Sequence, residues 1–398
     1  MNVLITNSRP LGFGGAEISV MQFAQELKKT GHKVVIASSG AFPGQTTDVF
    51  RFAEKWPYFM QYFYLKRFFI RLIKKHSIDV INPQDRATTI AAIHAANECS
   101  IPVVINIRDY WFACPKSSCL MPGYHECVHC SPSGLLKCTK WYRYPIDLYK
   151  WLNLRKIWAL LENAGPKIVA SSALRTKLAG CGIIKDVHLL PVARLLKSFE
   201  TPKGIAQFKK AHRLRKTVVT FIGSFFYTKG ILDLFDFMPD ILKSHPDVSL
   251  LLVGDGPLYN EIKKRIKENG IENQVVFAGR LPFKQTPVCY AVSDIVLIPH
   301  KWSEPFGAVM LEAAAAGKPS LTSDKGGAAD FKNAFGYTLP AGDVSLWKEK
   351  TLFLITHSAE RKALGKKAEG NVRKFDVAGF TANMIRFYKF AQEQLQSK

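Results

Sequence analysis

The chain has 398 residues, a length that fits about two domains of roughly 100–200 residues each. Hydrophobic content of 47% and charged content of 22% are those of a soluble globular protein. No window holds the roughly 18–20 uninterrupted apolar residues that span a bilayer, and the net charge of +23 implies an anionic partner: nucleic acid, an anionic membrane surface or a phosphorylated substrate.

Val3-Leu4-Ile5 opens the chain as a strand over 2–6. With no basic n-region or long apolar h-region before it, a cytoplasmic location is expected. The Gly-rich turn Gly12-Phe13-Gly14-Gly15 follows. Ile18, Met21, Phe23, Ala24 and Leu27 then recur at helical spacing from Ala16 to Thr30, and Lys33–Ser38 is the next strand. Asp79–Asn82 and Val103–Ile107 read as buried strands with a helix, Ala87–Glu98, between them. This repeated strand–helix–strand order predicts a parallel sheet.

The second half repeats the scheme. Strands are expected at Thr217–Ile222, Ser249–Val253, Gln274–Ala278, Ile295–Ile298 and Ser320–Thr322. Helices are expected after Lys229-Gly230 to about Ser244 and after Gly254-Asp255-Gly256-Pro257 to about Asn269. The expected architecture is α/β, two doubly wound Rossmann-like domains facing a central cleft. Their bounds are 1–195 and 217–375, joined by a polar linker at 196–216. A final amphipathic helix, 376–398, carries Phe380, Met384, Phe387 and Phe390 on one side and packs back on the N-terminal domain.

Three features carry chemistry. Five of the eight cysteines, Cys114, Cys119, Cys127, Cys130 and Cys138, crowd into a Pro/Gly-rich excursion at 112–140, with His125 and His129 beside a C-x-x-C pair. Tetrahedral zinc needs four such ligands, so a structural zinc is one reading; free thiols, disulfides or an iron–sulfur cluster are the others. Residues 51–75 and 137–158 interleave basic and aromatic side chains, among them Lys55, Trp56, Tyr62, Phe63, Trp141, Tyr142 and Trp151. That mixture suits the interface of an anionic membrane; the bland reading turns the aromatics into the core and the lysines to water. No nucleic-acid motif accompanies it, so nucleic acid is not an expected partner.

Residues 304–317 are the most informative stretch. Glu304 and Glu312 sit eight residues apart. Pro305 suits a first helical turn, the alanine run to Ala316 favours helix, and Gly317 then Pro319 end it. The N–H groups of Gly307, Ala308 and Val309 would then face a phosphate from a helix N-terminus, with Glu312 about one and a half turns in. A diphosphate flanked by hydroxyl-binding carboxylates is what a nucleotide-sugar site needs.

Through Phe221–Gly223, Lys229-Gly230, Val253–Pro257, Phe277–Arg280, Asp294–Pro299, Glu304–Glu312 and Gly326-Gly327, in that order, the chain resembles the group 1 glycosyltransferases, retaining enzymes of the GT-B fold. Gly14-Gly15-Ala16-Glu17 and Arg108-Asp109-Tyr110-Trp111 extend the resemblance across the first half. It implies a nucleotide-diphosphate sugar as donor, domain closure over that donor, front-face transfer and no cofactor for catalysis. Glu304 would contact the transferred sugar and Glu312 the ribose. Lys229 and the amides at Phe306, Gly307, Ala308 and Val309 would hold the diphosphate, approached by Gly14 and Gly15 from the other domain. Gly223, Ser224 and Gly254 would line the donor, and backbone at Gly279–Leu281, including Arg280, would hold the base. Arg108 and Asp109 would act near the acceptor.

Two departures stand out. Ser224 replaces an arginine common in the family. Arg108 replaces a histidine, and a guanidinium is no base near neutral pH. The expected activity is glycosyl transfer to a saccharide or lipid-linked envelope acceptor, by an enzyme peripheral on the inner face of the cell membrane. A nucleotide-sugar epimerase or phosphorylase of the same fold, or a non-catalytic membrane scaffold, is the alternative.

Overall fold

A computed structural model describes residues 1–9, 14–40, 48–53, 58–121, 123, 125–127, 130–200 and 202–397, the side chains of 58 and 59 excepted. Its contacts divide the chain into two units, Met1–Ala193 with Val377–Lys398, and Arg194–Asp376.

The first unit strings β1 (Asn2–Asn7), α1 (Gly15–Lys29), β2 (Lys33–Ser38), β3 (Val49–Arg51), α2 (Tyr58–His76), β4 (Val80–Pro83), α3 (Arg86–Glu98) and β5 (Ile105–Ile107). It continues with α4 (Pro132–Cys138), α5 (Tyr144–Leu152), α6 (Leu154–Asn163), β6 (Lys167–Val169), α7 (Ser172–Ala179) and β7 (Val187–Leu189). The strands run parallel in the order β3-β2-β1-β4 and β5-β6-β7, and a parallel bridge from Ile81 to Val103 links the two sets. Val3, Leu4, Ile5, Val34, Val35, Ile36, Val80 and Ile81 are all buried. Unbroken apolar runs are what strands covered on both faces require.

The second unit holds α8 (Lys197–Glu200), α9 (Ile205–Ala211), β8 (Thr217–Ile222), α10 (Met238–Ser244), β9 (Val248–Val253), α11 (Tyr259–Glu268), β10 (Val275–Gly279) and α12 (Thr286–Val292). Then come β11 (Ile295–Ile298), α13 (Val309–Ala315), β12 (Ser320–Ser323), β13 (Gly336–Leu339), α14 (Val344–Thr356) and α15 (Ser358–Val372). One parallel six-stranded sheet, β10-β9-β8-β11-β12-β13, forms its centre. Strand order reverses between β8 and β11. In such sheets the ligand crevice lies outside the carboxyl ends of the strands at that point. The last helix, α16 (Val377–Gln396), belongs to the first unit. Met384, Tyr388 and Ala391 are buried in one cluster with Val3, Ile5 and Phe23, and Phe380 meets Phe23 edge to face at 5.4 Å.

Two segments differ from expectation. Residues 196–216, read as a linker from their polar composition, carry α8 and α9 and pack on the second unit. Phe199 is buried and touches Tyr290 (5.6 Å) and Phe283 (6.0 Å). The single helix expected after Gly230 is instead a 3-10 turn, Ile231–Asp236, followed by α10, because Pro239 lacks the N–H that would continue it and sits in the first turn of a new helix.

Candidate active site

The carboxyl ends of β8 and β11 converge on Glu304. Gly230, at φ +69°, packs its Cα against the Pro299 carbonyl, and a Cβ there would lie 1.7 Å from that oxygen. Only glycine combines this left-handed backbone with that approach. The turn brings Lys229 Nζ to donate to Glu304 Oε1 at 2.7 Å. His300 Nδ1 stands 2.5 Å from the buried Oε2, a contact that is ionic only when the imidazole is protonated. The Gly327 N–H donates to the Glu304 carbonyl at 2.8 Å and fixes its backbone. Burial pushes the Glu304 carboxyl up, but His300 and Lys229 together outweigh it and hold it well below the usual carboxylate range. Burial in turn holds the His300 imidazole below its ordinary value, against the pull of Glu304.

The helix after Glu304 starts later than Pro305. Gly307 adopts φ +88°, which no right-handed helix tolerates, so α13 begins at Val309 with Ala308 as its cap. Among the described residues the N–H groups of Gly307, Ala308 and Val309 find no acceptor. Phe306 is buried and meets Phe331 at 5.7 Å. Glu312 therefore lies in the first turn, not one and a half turns in. Its carboxylate is occupied at both oxygens: Arg194 Nε donates to Oε1 at 2.8 Å and the Tyr290 hydroxyl to Oε2 at 2.6 Å. Burial, above all, lifts the Tyr290 phenol well above its ordinary value, so it remains a donor. An ionised carboxylate offers about four acceptor sites, so these two bonds leave room for a further hydroxyl.

The ends of β8, β9 and β10 gather the other expected donor-site positions. Gly223 N–H donates to the Val253 carbonyl (3.0 Å), and Gly254 N–H to that of Gly279 (2.9 Å), the residue before Arg280. Ser224 is exposed beside them. Sequence reading missed His300, Arg194 and Tyr290. His300 follows a strand end four residues before Glu304, a spacing that signals a partner; Arg194 and Tyr290 carry no local signal.

In the first unit Gly14 caps α1 and Gly15 opens it, while Gly12 and Phe13 lie outside the described residues. Arg108 is fastened in place, with Nε donating to Gln84 Oε1 at 2.8 Å and a terminal nitrogen to the Ala16 carbonyl at 3.4 Å. Asp109 Oδ1 accepts the Trp111 N–H at 2.9 Å. Burial pushes the Asp109 carboxyl up to about 6, with Asp85 adding to it. A raised acid destabilises the fold only when ionised. The cost is absent below 3.8, the ordinary carboxyl value, grows between there and about 6, and is complete above. Asp109→Asn should therefore raise the melting temperature at pH 8, by up to about 3 kcal/mol of stability, and leave it nearly unchanged at pH 3.5. Equal effects at both pH values would contradict this.

The cysteines of the excursion form no disulfide in this structure. A hydrogen bond from Cys119 draws the Cys114 thiol down to about 5, and the Cys127 N–H donates to the Cys119 carbonyl at 2.8 Å. Among the described residues no three His, Cys, Asp or Glu side chains come together as metal ligands, so the zinc expectation at Cys114, Cys119, Cys127, Cys130 and Cys138 finds no support. His129 lies outside the described residues, as do Lys55 and Trp56.

Two family models cover most of the chain: "Glycosyltransferase Family 4" over residues 13–193 and "Glycosyl transferases group 1" over residues 203–371. The chain belongs to the group 1 glycosyltransferases. The enzyme is 25% identical over 330 residues to the alpha-monoglucosyldiacylglycerol synthase of Streptococcus pneumoniae, covering 77% of this chain and 67% of that one. It is 28% identical over 266 residues to the phosphatidyl-myo-inositol mannosyltransferase of Mycobacterium leprae, covering 58% and 69%. The crystal structure of Anabaena Alr3699/HepE in complex with UDP aligns with a TM-score of 0.75 at 20% identity, over 98% of this chain and 100% of that one. WaaG, a glycosyltransferase involved in lipopolysaccharide biosynthesis, aligns at 0.68 and 15%, over 96% and 98%. The fold is GT-B, with two Rossmann-like units.

Proposed function

We propose that the enzyme transfers a glycosyl group from a nucleotide-diphosphate sugar, with retention, to a hydroxyl of a lipid-linked acceptor at an anionic membrane face. The observation that carries this reading is the cluster of Glu304, Lys229 and His300 beside the N–H groups of Gly307–Val309, which find no acceptor among the described residues. Fixed donors aimed at a leaving diphosphate supply much of the stabilisation such a transfer needs. Lys229, paired to Glu304 at 2.7 Å, would exchange that carboxylate for a diphosphate oxygen. Glu312 and the strand ends at Gly223, Gly254 and Arg280 hold the nucleoside, and Arg108 and Asp109 face the acceptor. Structures of Anabaena HepE with UDP and with UDP-glucose support the donor class; the names of the streptococcal and mycobacterial relatives support a lipid acceptor.

The surface supports the membrane. Trp141 is 87% exposed and Phe63 62%; Ile146, Tyr149 and Leu152 form an outward apolar stripe along α5, with exposed Lys137, Lys140, Arg143, Arg155 and Lys156 around them. Other aromatics turn inward: Phe69 is buried in α2, and Trp158 Nε1 donates to the Phe112 carbonyl at 2.8 Å. Among the described residues no helix is long and apolar enough to cross a membrane. The test is incubation with each radiolabelled nucleotide sugar and phosphatidylglycerol-containing vesicles that carry a lipid extract. Label should enter the lipid phase in the anomeric configuration of the donor. An inverted product, or label released only as free sugar, would overturn the reading.

A further inference from the structure

A cavity of about 670 Å³ opens in the first unit between α2, α3, α5 and α6. We infer that it takes one hydrocarbon chain of a membrane lipid with an anionic head group, drawn from the bilayer. Packed helices normally interlock, so an open cleft of this size between four of them leaves room for a ligand. Its volume lies in the range of about 300–1,000 Å³ typical of ligand sites. Phe63, Ala87, Ile90, Ile157 and Leu160 supply apolar wall, with Gln61, His94, Asn153 and Asn163 among the polar residues that also line it. The helices around it are otherwise well seated, with Leu65, Phe69 and Leu161 buried behind it, so the space is not a failure of packing.

Charge selects the head group. Among the described residues Arg86, Lys150 and Lys156 line the cavity and no carboxylate does. Arg86 is anchored through the Trp111 carbonyl (3.1 Å) and the Lys150 carbonyl (3.4 Å), and Lys150 reaches Asp147 at 3.4 Å. Lys156 is exposed and makes no ion pair among the described residues, so it is placed to meet a phosphate at the rim. Phe63 and Tyr149 line the cavity and are also exposed, so the mouth opens within the apolar, basic surface that would lie on a membrane. Arg86 ties the wall to Trp111, in the segment that carries Arg108 and Asp109. A chain held here places its head group beside that segment, and this rests on the lipid-acceptor reading above.

The test uses the full chain and hexadecyl phosphate below its micellar concentration, in equilibrium dialysis. One molecule should bind per chain, with inorganic phosphate and butyl phosphate failing to compete. Ile90→Trp and Ala87→Trp, which fill the cavity, should each weaken binding at least tenfold. Lys156→Glu should weaken it several-fold while leaving a neutral hexadecyl maltoside unaffected. On phosphatidylglycerol vesicles Ile90→Trp should also co-sediment less than wild type. Nucleotide-induced thermal shifts, measured on the same preparations, report on the second unit. Absence of saturable binding, or equal binding by the filled variants, in protein with an intact nucleotide shift overturns the cavity proposal alone. Loss of free-amphiphile binding without any change on vesicles assigns the cavity to soluble amphiphiles and overturns the membrane source. Chain binding that persists with no nucleotide shift and no turnover overturns the donor reading instead.

Discussion

Glu304→Gln should lower turnover roughly 10²–10³-fold while leaving the affinity for nucleoside diphosphate nearly unchanged. The substitution keeps the shape of the side chain and removes its charge. In the wild type that charge is held by Lys229 at 2.7 Å and by His300 at 2.5 Å, well below the usual carboxylate range, so it is ionised throughout any working pH. On the proposed reading the ionised carboxylate is needed only once the sugar reacts, and the nucleotide would be held by Lys229, the amides of Gly307–Val309 and the strand ends. Loss should thus fall on kcat rather than on donor binding. A second signature is stability. A depressed acid stabilises the fold above its ordinary value of 4.5 and loses that contribution as pH falls below it. Glu304→Gln should therefore melt lower than wild type at pH 7, with the gap closing as pH drops below about 4. An unchanged kcat would remove Glu304 from the chemistry.

The second large effect belongs to Arg194. Its guanidinium is 2% exposed and pairs with Glu312, 118 residues away. Breaking a buried pair by removing one partner leaves the other charge without compensation, a loss of about 3–5 kcal/mol. Arg194→Met should lower the melting transition by roughly 10 °C, on a scale of about 2–4 °C per kcal/mol for a unit of this size. Nucleotide affinity should fall as well, because Glu312 loses the bond that orients it. The double variant Arg194→Met/Glu312→Gln tests the cause: it removes the stranded charge, so it should recover much of the stability without recovering affinity. A double variant as unstable as the single would show that the Arg194 side chain acts through contacts other than the one to Glu312.

These two cases show what sequence makes legible. The strands of both sheets were readable because buried parallel strands are unbroken apolar runs, and β2, β8 and β11 fall where those runs lie. Turn chemistry and family order mark Lys229, Glu304 and the glycines in the sequence, and the structure brings Lys229 to Glu304. The start of α13 was not legible. Alanine content argued for helix from Pro305, and one left-handed residue, Gly307, overrode it. The partners of Glu312 were hidden for a different reason. Arg194 lies in a stretch that is polar by composition, and Tyr290 lies on another helix; only the tertiary fold brings them together. The basic aromatic segments were legible as a theme. Which rings point outward, such as Trp141 and Tyr149, and which are held inside, such as Trp158, depends on helix packing that periodicity alone does not settle.

The most direct test of the donor site is a thermal-shift measurement of the purified enzyme against UDP, GDP, ADP and CMP and their sugars. One nucleotide and its sugars should raise the melting temperature clearly, and Lys229→Ala should abolish the shift. No shift with any nucleotide in folded protein, or a shift that Lys229→Ala leaves intact, would contradict the assignment of the site.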